Sequence, residues 1–179
     1  MELCTPQAGA SLVYTTCFNQ DYPTELWFEN NHLKKSKSLY MTTGSFPNEM
    51  IFKLKDISSI SSIEFISIGI HKLEVSTCDK VFENEIDINN EHDSTKTNLN
   101  NIMHLSWNII STATAEDAEE DFQRLSLEFN NITASYVRFR ILSGTRNFIT
   151  IRKISINGGI YKKTTKLGGN SRNSGKSGK

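Results

Sequence analysis

Short runs of alternating apolar and polar residues recur along this chain of 179 residues. In the run 134–142, Val137, Phe139 and Ile141 fall on one side of an extended strand, and two arginines fall on the other. Similar runs occupy 11–16, 50–54, 125–129 and 148–156. Outside 113–122, which has the composition of a helical turn, no stretch keeps a helical period. The pattern therefore predicts an all-β domain, a sandwich or barrel of antiparallel strands.

The longest β-rich run is 63–75, and Gly69 interrupts it. Ile66, Ile68 and Ile70 share one face of this run, and the pattern shifts after them. A glycine inside a strand is typical of a bulge or a bend. We therefore expect a bulge or a bend at Gly69.

The charges balance, because 20 basic and 20 acidic residues give a formal net charge of zero. Nucleic-acid binding and attachment to an anionic membrane usually need a clear positive excess, so neither is expected. No apolar stretch approaches the ~20 residues of a membrane span, and the first residues lack a signal-peptide pattern. Cys4, Cys17 and Cys78 form no C-x-x-C pair and are expected to be reduced thiols. A cytoplasmic protein fits these features.

One domain, 1–161, accounts for the patterned part of the chain. Within it, a basic loop near 30–37 and an Asn-rich stretch near 83–101 are interpreted as mobile inserts. Residues 162–179 are rich in Lys, Gly and Ser and contain no acidic residue, so a disordered tail is expected there.

Motifs that carry catalytic chemistry do not occur in the sequence. The four histidines are scattered without metal-ligand spacing, and the glycines form no phosphate-binding loop after a strand. A nucleophile elbow of the G-x-S-x-G type is also missing. An enzyme is therefore not expected.

Two motifs carry a resemblance to a known family. Residues 40–54 join an aromatic and hydroxyl-rich turn, Tyr-Met-Thr-Thr-Gly-Ser-Phe-Pro, to a strand, and 136–139 reads Tyr-Val-Arg-Phe. Shorter matches lie at 3–4, 13–16, 22–23, 63–64, 71–77 and 154–158. Together they resemble the intraflagellar transport protein 25 family, also called heat shock protein beta-11 or placental protein 25. The similarity covers most of 3–160, and Thr-Thr-Gly-x-Phe-Pro is its most specific part.

This resemblance implies a galactose-binding-like, or discoidin-like, β-sandwich with jelly-roll topology. It implies a non-enzymatic adaptor subunit of intraflagellar transport complex B, located in the cytoplasm and in the cilium or flagellum. The implied partners are a Rab-like small GTPase and other complex B subunits, with no nucleic acid and no membrane insertion. The alternative is a stand-alone discoidin-like module that binds a carbohydrate or another small ligand, with Trp27 beside Phe28 as its aromatic platform.

The resemblance also implies one calcium ion, at positions that fall on Glu29, Asn30, Ser38 and Asn157. Calcium needs about 6–8 oxygen ligands. This chain departs from the family pattern, since Glu29 stands in place of an aspartate, Asn30 of a glycine and Asn157 of a glutamate. Three lysines between Asn30 and Ser38 add positive charge next to this site.

The sequence leaves the partner-binding surface open between several residues. Arg138 and Arg140 point to the same side of their strand, either to recognise a carboxylate of a partner or to pair with acidic residues on the next strand. Ile149 and Ile151 are further candidates, because their strand also offers two faces.

Overall fold

The computed structural model describes residues 1–17, 19–30, 38–42, 46–80, 102, 104–115 and 121–161. The side chain of Asn30 is not described. Both predicted inserts, apart from Asn30, and the predicted tail lie outside these ranges, so the domain boundaries stay a prediction. No helix in the described ranges is long and apolar enough to cross a membrane.

The described residues form strands, one α-helix and one turn of 3-10 helix. The strands are β1 (Ser11–Thr15), β2 (Tyr40–Met41), β3 (Asn48–Ile68), β4 (Ile70–Cys78), β5 (Asn108–Thr114), β6 (Gln123–Gly144) and β7 (Thr150–Ile160). The α-helix, α1, is Thr24–Asn30, and the 3-10 helix is Pro6–Ala8. Thr5 caps this short helix, because its hydroxyl accepts the Ala8 N–H at 3.1 Å.

The two longest strands, β3 and β6, pair with each other along both halves of their length. The first half of β3 and the second half of β6 form the front layer, which β1, β4 and β5 extend. The other halves form the back layer, which β7 and β2 extend. The register of β3 against β6 shifts between Lys53 and Ser58, where the pair passes from one layer into the other.

Apolar side chains from both layers pack against each other between them. The rings of Phe65 in the back layer and Phe139 in the front layer meet edge to face, with 4.9 Å between their centroids. The helix α1 covers one end of this core, where Phe28 packs on Phe52 at 5.7 Å between ring centroids. The predicted all-β antiparallel sandwich is confirmed.

Of the bulge or bend predicted at Gly69, the structure shows the bend. Gly69 has a φ of +85°, a left-handed conformation that favours glycine, and it separates β3 from β4. A side chain there would also crowd the carbonyl oxygen of Phe148, which lies 3.1 Å from the position of a Cβ. Because the strand turns at this point, Ile70 enters the core, whereas Ile66 and Ile68 are half-buried.

The helical content differs from the sequence analysis at two places among the described residues. The helix α1 was not expected, because seven residues are too few for a helical period to stand out from the alternation around them. The helical turn expected at 113–122 is not present at its described ends. Ala113 and Thr114 finish strand β5, and Asp121 and Phe122 precede β6 outside any helix.

A close approach between β7 and β3 occurs at Gly158. A Cβ added at Gly158 would overlap the carbonyl oxygen of Ser59 on β3. The next residue, Gly159, has open space where its Cβ would be. The two neighbouring glycines therefore differ in whether a side chain fits.

Candidate protein-docking surface

The outer face of the back layer is polar. The outward residues Ser62 and Glu64 of β3 lie opposite Glu128 and Ser126 of β6. Glu64 forms an ion pair with the exposed Arg124, with 3.1 Å between Oε1 and Nη1. This composition is typical of a sheet face that stays in water.

The outer face of the front layer is largely apolar. Ile51 of β3 and Tyr136 of β6 are buried there, outside the core between the layers. They pack with Ile102 and Leu105, which come from the segment before β5. The outer-face cluster consists of these four residues, Cys78, and the half-buried Val13, Tyr14 and Trp107. An apolar outer face is typical of a surface that another segment or another protein covers.

Four charged side chains beside this cluster form an ionic group across three strands. Arg140 of β6 lies between its register partners, Glu49 of β3 and Glu74 of β4. Its guanidinium nitrogens are 3.4 Å from Glu49 Oε2 and 3.2 Å from Glu74 Oε1. Arg138 reaches the same carboxylates at 3.7 Å and 3.9 Å. The two arginines balance the two glutamates, so the ionic group adds no net charge to the surface.

The ionic group is mostly buried, with side-chain exposure from 10% at Glu74 to 31% at Arg140. Burial lowers the pKa of Arg138, with Glu49 acting in the opposite direction. A guanidinium remains charged at neutral pH despite such a change. The ionic group is therefore a set of desolvated charges that depend on one another.

Ile109 extends the apolar surface to the edge of the front layer. It is 56% exposed on the edge strand β5, opposite Ser76 in the register. Ser76 accepts a hydrogen bond from Arg138 Nη2 at 3.4 Å, which places Ile109 on the same outer side as the ionic group. We call the outer-face cluster, the ionic group and Ile109 together the front face. Aromatic, apolar and arginine side chains in one patch are characteristic of protein interfaces.

The structure places some of the interface residues suggested by the sequence on an outer face and others in the core. Arg138 and Arg140 do lie on an outer face, and they pair with acidic residues on the neighbouring strands. Ile149 and Ile151 were wrong candidates, because both have no exposed surface and belong to the core. Trp107 and Ile109 were missed.

Of the four positions predicted for calcium, Glu29, Ser38 and Asn157 have described side chains, and these three lie in different surroundings. Glu29 is exposed and lines a cavity between β1 and α1. Ser38 lines a second cavity, beside Tyr22 and Trp27. The side-chain amide of Asn157 donates to the Ser62 hydroxyl at 3.4 Å.

These surroundings do not assemble the ligands that calcium needs. Among the described residues, no three His, Cys, Asp or Glu side chains group as a metal site. Glu29 is the one carboxylate at the four positions, and a single carboxylate is a weak donor set for this ion. Calcium is therefore given no role in the function, and the calcium site stays a prediction.

Trp27 is not the exposed sugar platform that was considered. Its side chain has no exposed surface, and its indole N–H donates to the carbonyl oxygen of Arg152 at 3.3 Å. Its ring packs against Tyr40, with 5.6 Å between centroids. Phe28 is only 7% exposed. Both aromatic side chains therefore serve the core.

The fold is that of galactose-binding-like β-sandwich modules. A family 32 carbohydrate-binding module from Clostridium perfringens, in complex with GalNAc-β-1,3-galactose, matches with a TM-score of 0.59 and 16% identity, over 87% of this chain and 99% of that one. The family 32 module of C. perfringens NanJ, in complex with galactose, has a TM-score of 0.59 at 13% identity, over 87% of this chain and 98% of that one. At such identities the likeness shows the fold alone.

The amino-acid sequence of the chain is similar to that of intraflagellar transport protein 25 of Chlamydomonas reinhardtii. The two are 25% identical over 159 residues, which cover 84% of this chain and 66% of the relative. The chain thus spans just under two thirds of that protein's length. No protein-family model matches the chain. The resemblance to the intraflagellar transport protein 25 family and the galactose-binding-like fold are both confirmed.

Proposed function

We propose that this protein is a non-enzymatic adaptor subunit of intraflagellar transport complex B. In this role it pairs with a Rab-like small GTPase and contacts other complex B subunits. It works in the cytoplasm and in the cilium or flagellum. The observation that carries the proposal is the similarity to intraflagellar transport protein 25 over 84% of the chain.

The contrast between the two outer faces supports the front face as the docking surface for the GTPase. A stable protein interface buries roughly 800 Å² on each partner, with an apolar centre and a polar rim. The half-buried Tyr14 and Trp107 and the exposed Ile109 supply apolar area for such a centre. The ionic group supplies charges of both signs next to it. The polar back face offers no comparable centre among its described residues.

Co-expression tests the pairing directly. The full chain is produced with a Rab-like small GTPase from the intraflagellar transport machinery of the same organism, and the product is analysed by size-exclusion chromatography with light scattering. We expect a complex with one copy of each protein. A Rab GTPase of vesicle traffic from the same organism is the matched control. Failure to form the complex with either GDP or GTP analogue bound would overturn the adaptor assignment.

A carbohydrate-binding module is the competing assignment, because the solved structures with this fold include complexes with sugars. The burial of Trp27 and Phe28 removes the platform considered for it. Titration with galactose, followed by amide chemical shifts, separates the two assignments. We expect no saturable shift at millimolar sugar, and a saturable shift would favour the sugar-binding module.

A further inference from the structure

A cavity of about 420 Å³ lies between strand β1 and helix α1. Every residue of Ser11–Thr15 lines it, together with Thr24 and Phe28 of the helix. Successive side chains of a strand point to opposite faces, so a cavity that touches all five residues runs along the edge of the strand. Among the described residues, β1 pairs only with β3, so this edge has no strand partner. The cavity is thus a groove beside an open strand edge.

The groove combines an apolar floor with an acidic wall. Leu12 and Phe28 pack on the core and form part of the floor. Glu25 and Glu29 lie one helical turn apart on α1, and both are exposed. Neither forms an ion pair with another described residue, and no described lysine, arginine or histidine lines the groove.

A buried hydroxyl in the groove wall has no hydrogen-bond partner in the part of the chain that the structure describes. Thr24 lines the groove and is 3% exposed, and its Oγ1 has no hydrogen-bond partner among the described residues. A buried polar atom without a partner costs free energy that a docked segment can recover. An open strand edge, two carboxylates without an ion pair among the described residues, and this hydroxyl together fit an extended, basic peptide segment.

The end of β7 leads toward this groove. Strands β1 and β7 lie on the same side of β3, with Ser11 beside Lys53 and Ile160 beside Ser58. The Tyr161 N–H still donates to the carbonyl oxygen of Ile57 at 2.9 Å, so the chain is heading along β3 toward Ser11. Ile57 and Lys53 are four positions apart on β3, a distance of about 13 Å at ~3.3 Å per residue. Both strands run antiparallel to β3, so a continuation of β7 would arrive parallel to β1.

The chain that follows has the complementary charge. Residues 162–179 contain Lys162, Lys163, Lys166, Arg172, Lys176 and Lys179, and no acidic residue. We propose that this segment docks in the groove between β1 and α1, beside the open edge of β1, with its lysines against Glu25 and Glu29. Four or five residues cover the distance to Ser11, so the remainder is long enough to lie along the strand.

Because the segment is joined to the end of β7, even a weak contact is enough to keep it in the groove. A short flexible connection gives the segment an effective concentration on the order of millimolar at the groove. Contacts between exposed charges are screened by salt, so the docked state should lose population as ionic strength rises. The segment would thereby shield the strand edge from other chains, which unprotected edges invite.

Amide hydrogen exchange of the full chain tests the proposal with variants that reverse the charges of the groove or of the segment. The amides of Ser11–Thr15 should be protected at low salt. Reversing either set of charges should raise the exchange rate of these amides about threefold or more, since edge amides are exposed when the segment leaves. The two variants are Glu25→Lys/Glu29→Lys and Lys163→Glu/Lys166→Glu. Combining the two pairs of substitutions restores opposite charges and should restore the protection. The matched control is Glu128→Lys, an exposed glutamate of β6 in the back layer.

Three results would overturn the docking. The first is an unchanged exchange rate at Ser11–Thr15 in Lys163→Glu/Lys166→Glu. The second is failure of the combined variant to recover protection while both single-pair variants have lost it. The third is loss of protection in Lys34→Glu/Lys35→Glu but not in Lys163→Glu/Lys166→Glu, which would assign the two glutamates to the basic segment that follows α1.

Discussion

The guanidinium carbon of Arg138 lies 4.6 Å from the centre of the Trp107 ring. Arg138 belongs to β6 in the middle of the front layer, whereas Trp107 precedes the edge strand β5. A cation over an aromatic face at this distance contributes about 1 kcal/mol. The contact holds the segment before β5 against the ionic group, and so it shapes the apolar centre of the front face.

Ile109→Asp should weaken the proposed pairing with the GTPase about tenfold or more, because a charge would enter the apolar centre of the proposed interface. The side chain is 56% exposed, so the free energy of unfolding should change by less than about 0.5 kcal/mol. Ile160→Asp is the matched control, because Ile160 is also 56% exposed but lies at the end of β7. Titration calorimetry measures both affinities. Equal affinities for the two variants would exclude the front face as the docking surface.

Glu74→Ala should destabilise the fold by about 2 kcal/mol, since it leaves two mostly buried arginines with one carboxylate. The Glu74 side chain is 10% exposed and lies 3.2 Å from Arg140. Glu64→Ala removes an ion pair whose arginine is 67% exposed, and it should cost less than about 0.5 kcal/mol. Urea denaturation of the two variants provides the comparison. A similar loss in both would mean that the ionic group adds nothing beyond a surface pair.

The stability of the protein should fall as the pH rises through 10. Burial raises the pKa of Tyr40 above its ordinary value of 10.0, and the Thr15 hydroxyl, 2.7 Å away, acts in the opposite direction. Above that pH the unfolded chain releases the phenol proton while the folded chain keeps it, so the unfolded state binds fewer protons. The free energy of unfolding then decreases by up to about 1.4 kcal/mol per pH unit for this group.

Tyr40→Phe should reduce this slope without abolishing it. Burial raises the pKa values of Cys4 and Tyr136 as well, and these groups remain in the variant. At neutral pH the variant should lose about 1 kcal/mol with the hydrogen bond to Thr15. Denaturation at several pH values from 8 to 11 measures the slope for both proteins. An identical slope would show that Tyr40 titrates normally in the folded chain.

Gly158→Ala should cost about 3 kcal/mol, because its methyl group would overlap the backbone of β3 and force β7 away. Gly159→Ala should change the stability by less than about 1 kcal/mol, since its methyl group meets open space and restricts the unfolded chain. Thermal unfolding of the two alanine variants measures this difference in stability. Matching melting temperatures would contradict the close approach between β7 and Ser59.

Calcium should bind no tighter than about millimolar at Glu29, Asn30, Ser38 and Asn157, because one carboxylate supplies little of the charge that tighter sites use. Titration calorimetry with Glu29→Ala as the control measures this. Micromolar binding that Glu29→Ala abolishes would show that the four positions do assemble around the ion.

The strands could be predicted from the sequence because alternation reports directly on burial. Val137, Phe139 and Ile141 reach the core as the pattern indicates. Gly69 marked a bend because few other residues take its backbone conformation. Helix α1 could not be predicted because its two turns are too short to show a helical period. Trp27 and Phe28 are adjacent and both buried, so they do not reveal one apolar face.

The front face could be predicted only in part. The orientation of Arg138 and Arg140 follows from the two-residue period of a strand. Their partners Glu49 and Glu74 are distant in sequence, and only the order of the strands brings them together. Trp107 and Ile109 carry one signal that was available, since apolar residues at 107, 109 and 110 place apolar groups on both sides of an extended chain.

Strands β3 and β6 each belong to both layers. Separating the two layers would therefore strain both strands where each passes from one layer into the other. A load applied to the front layer would pass through continuous backbone into the back layer.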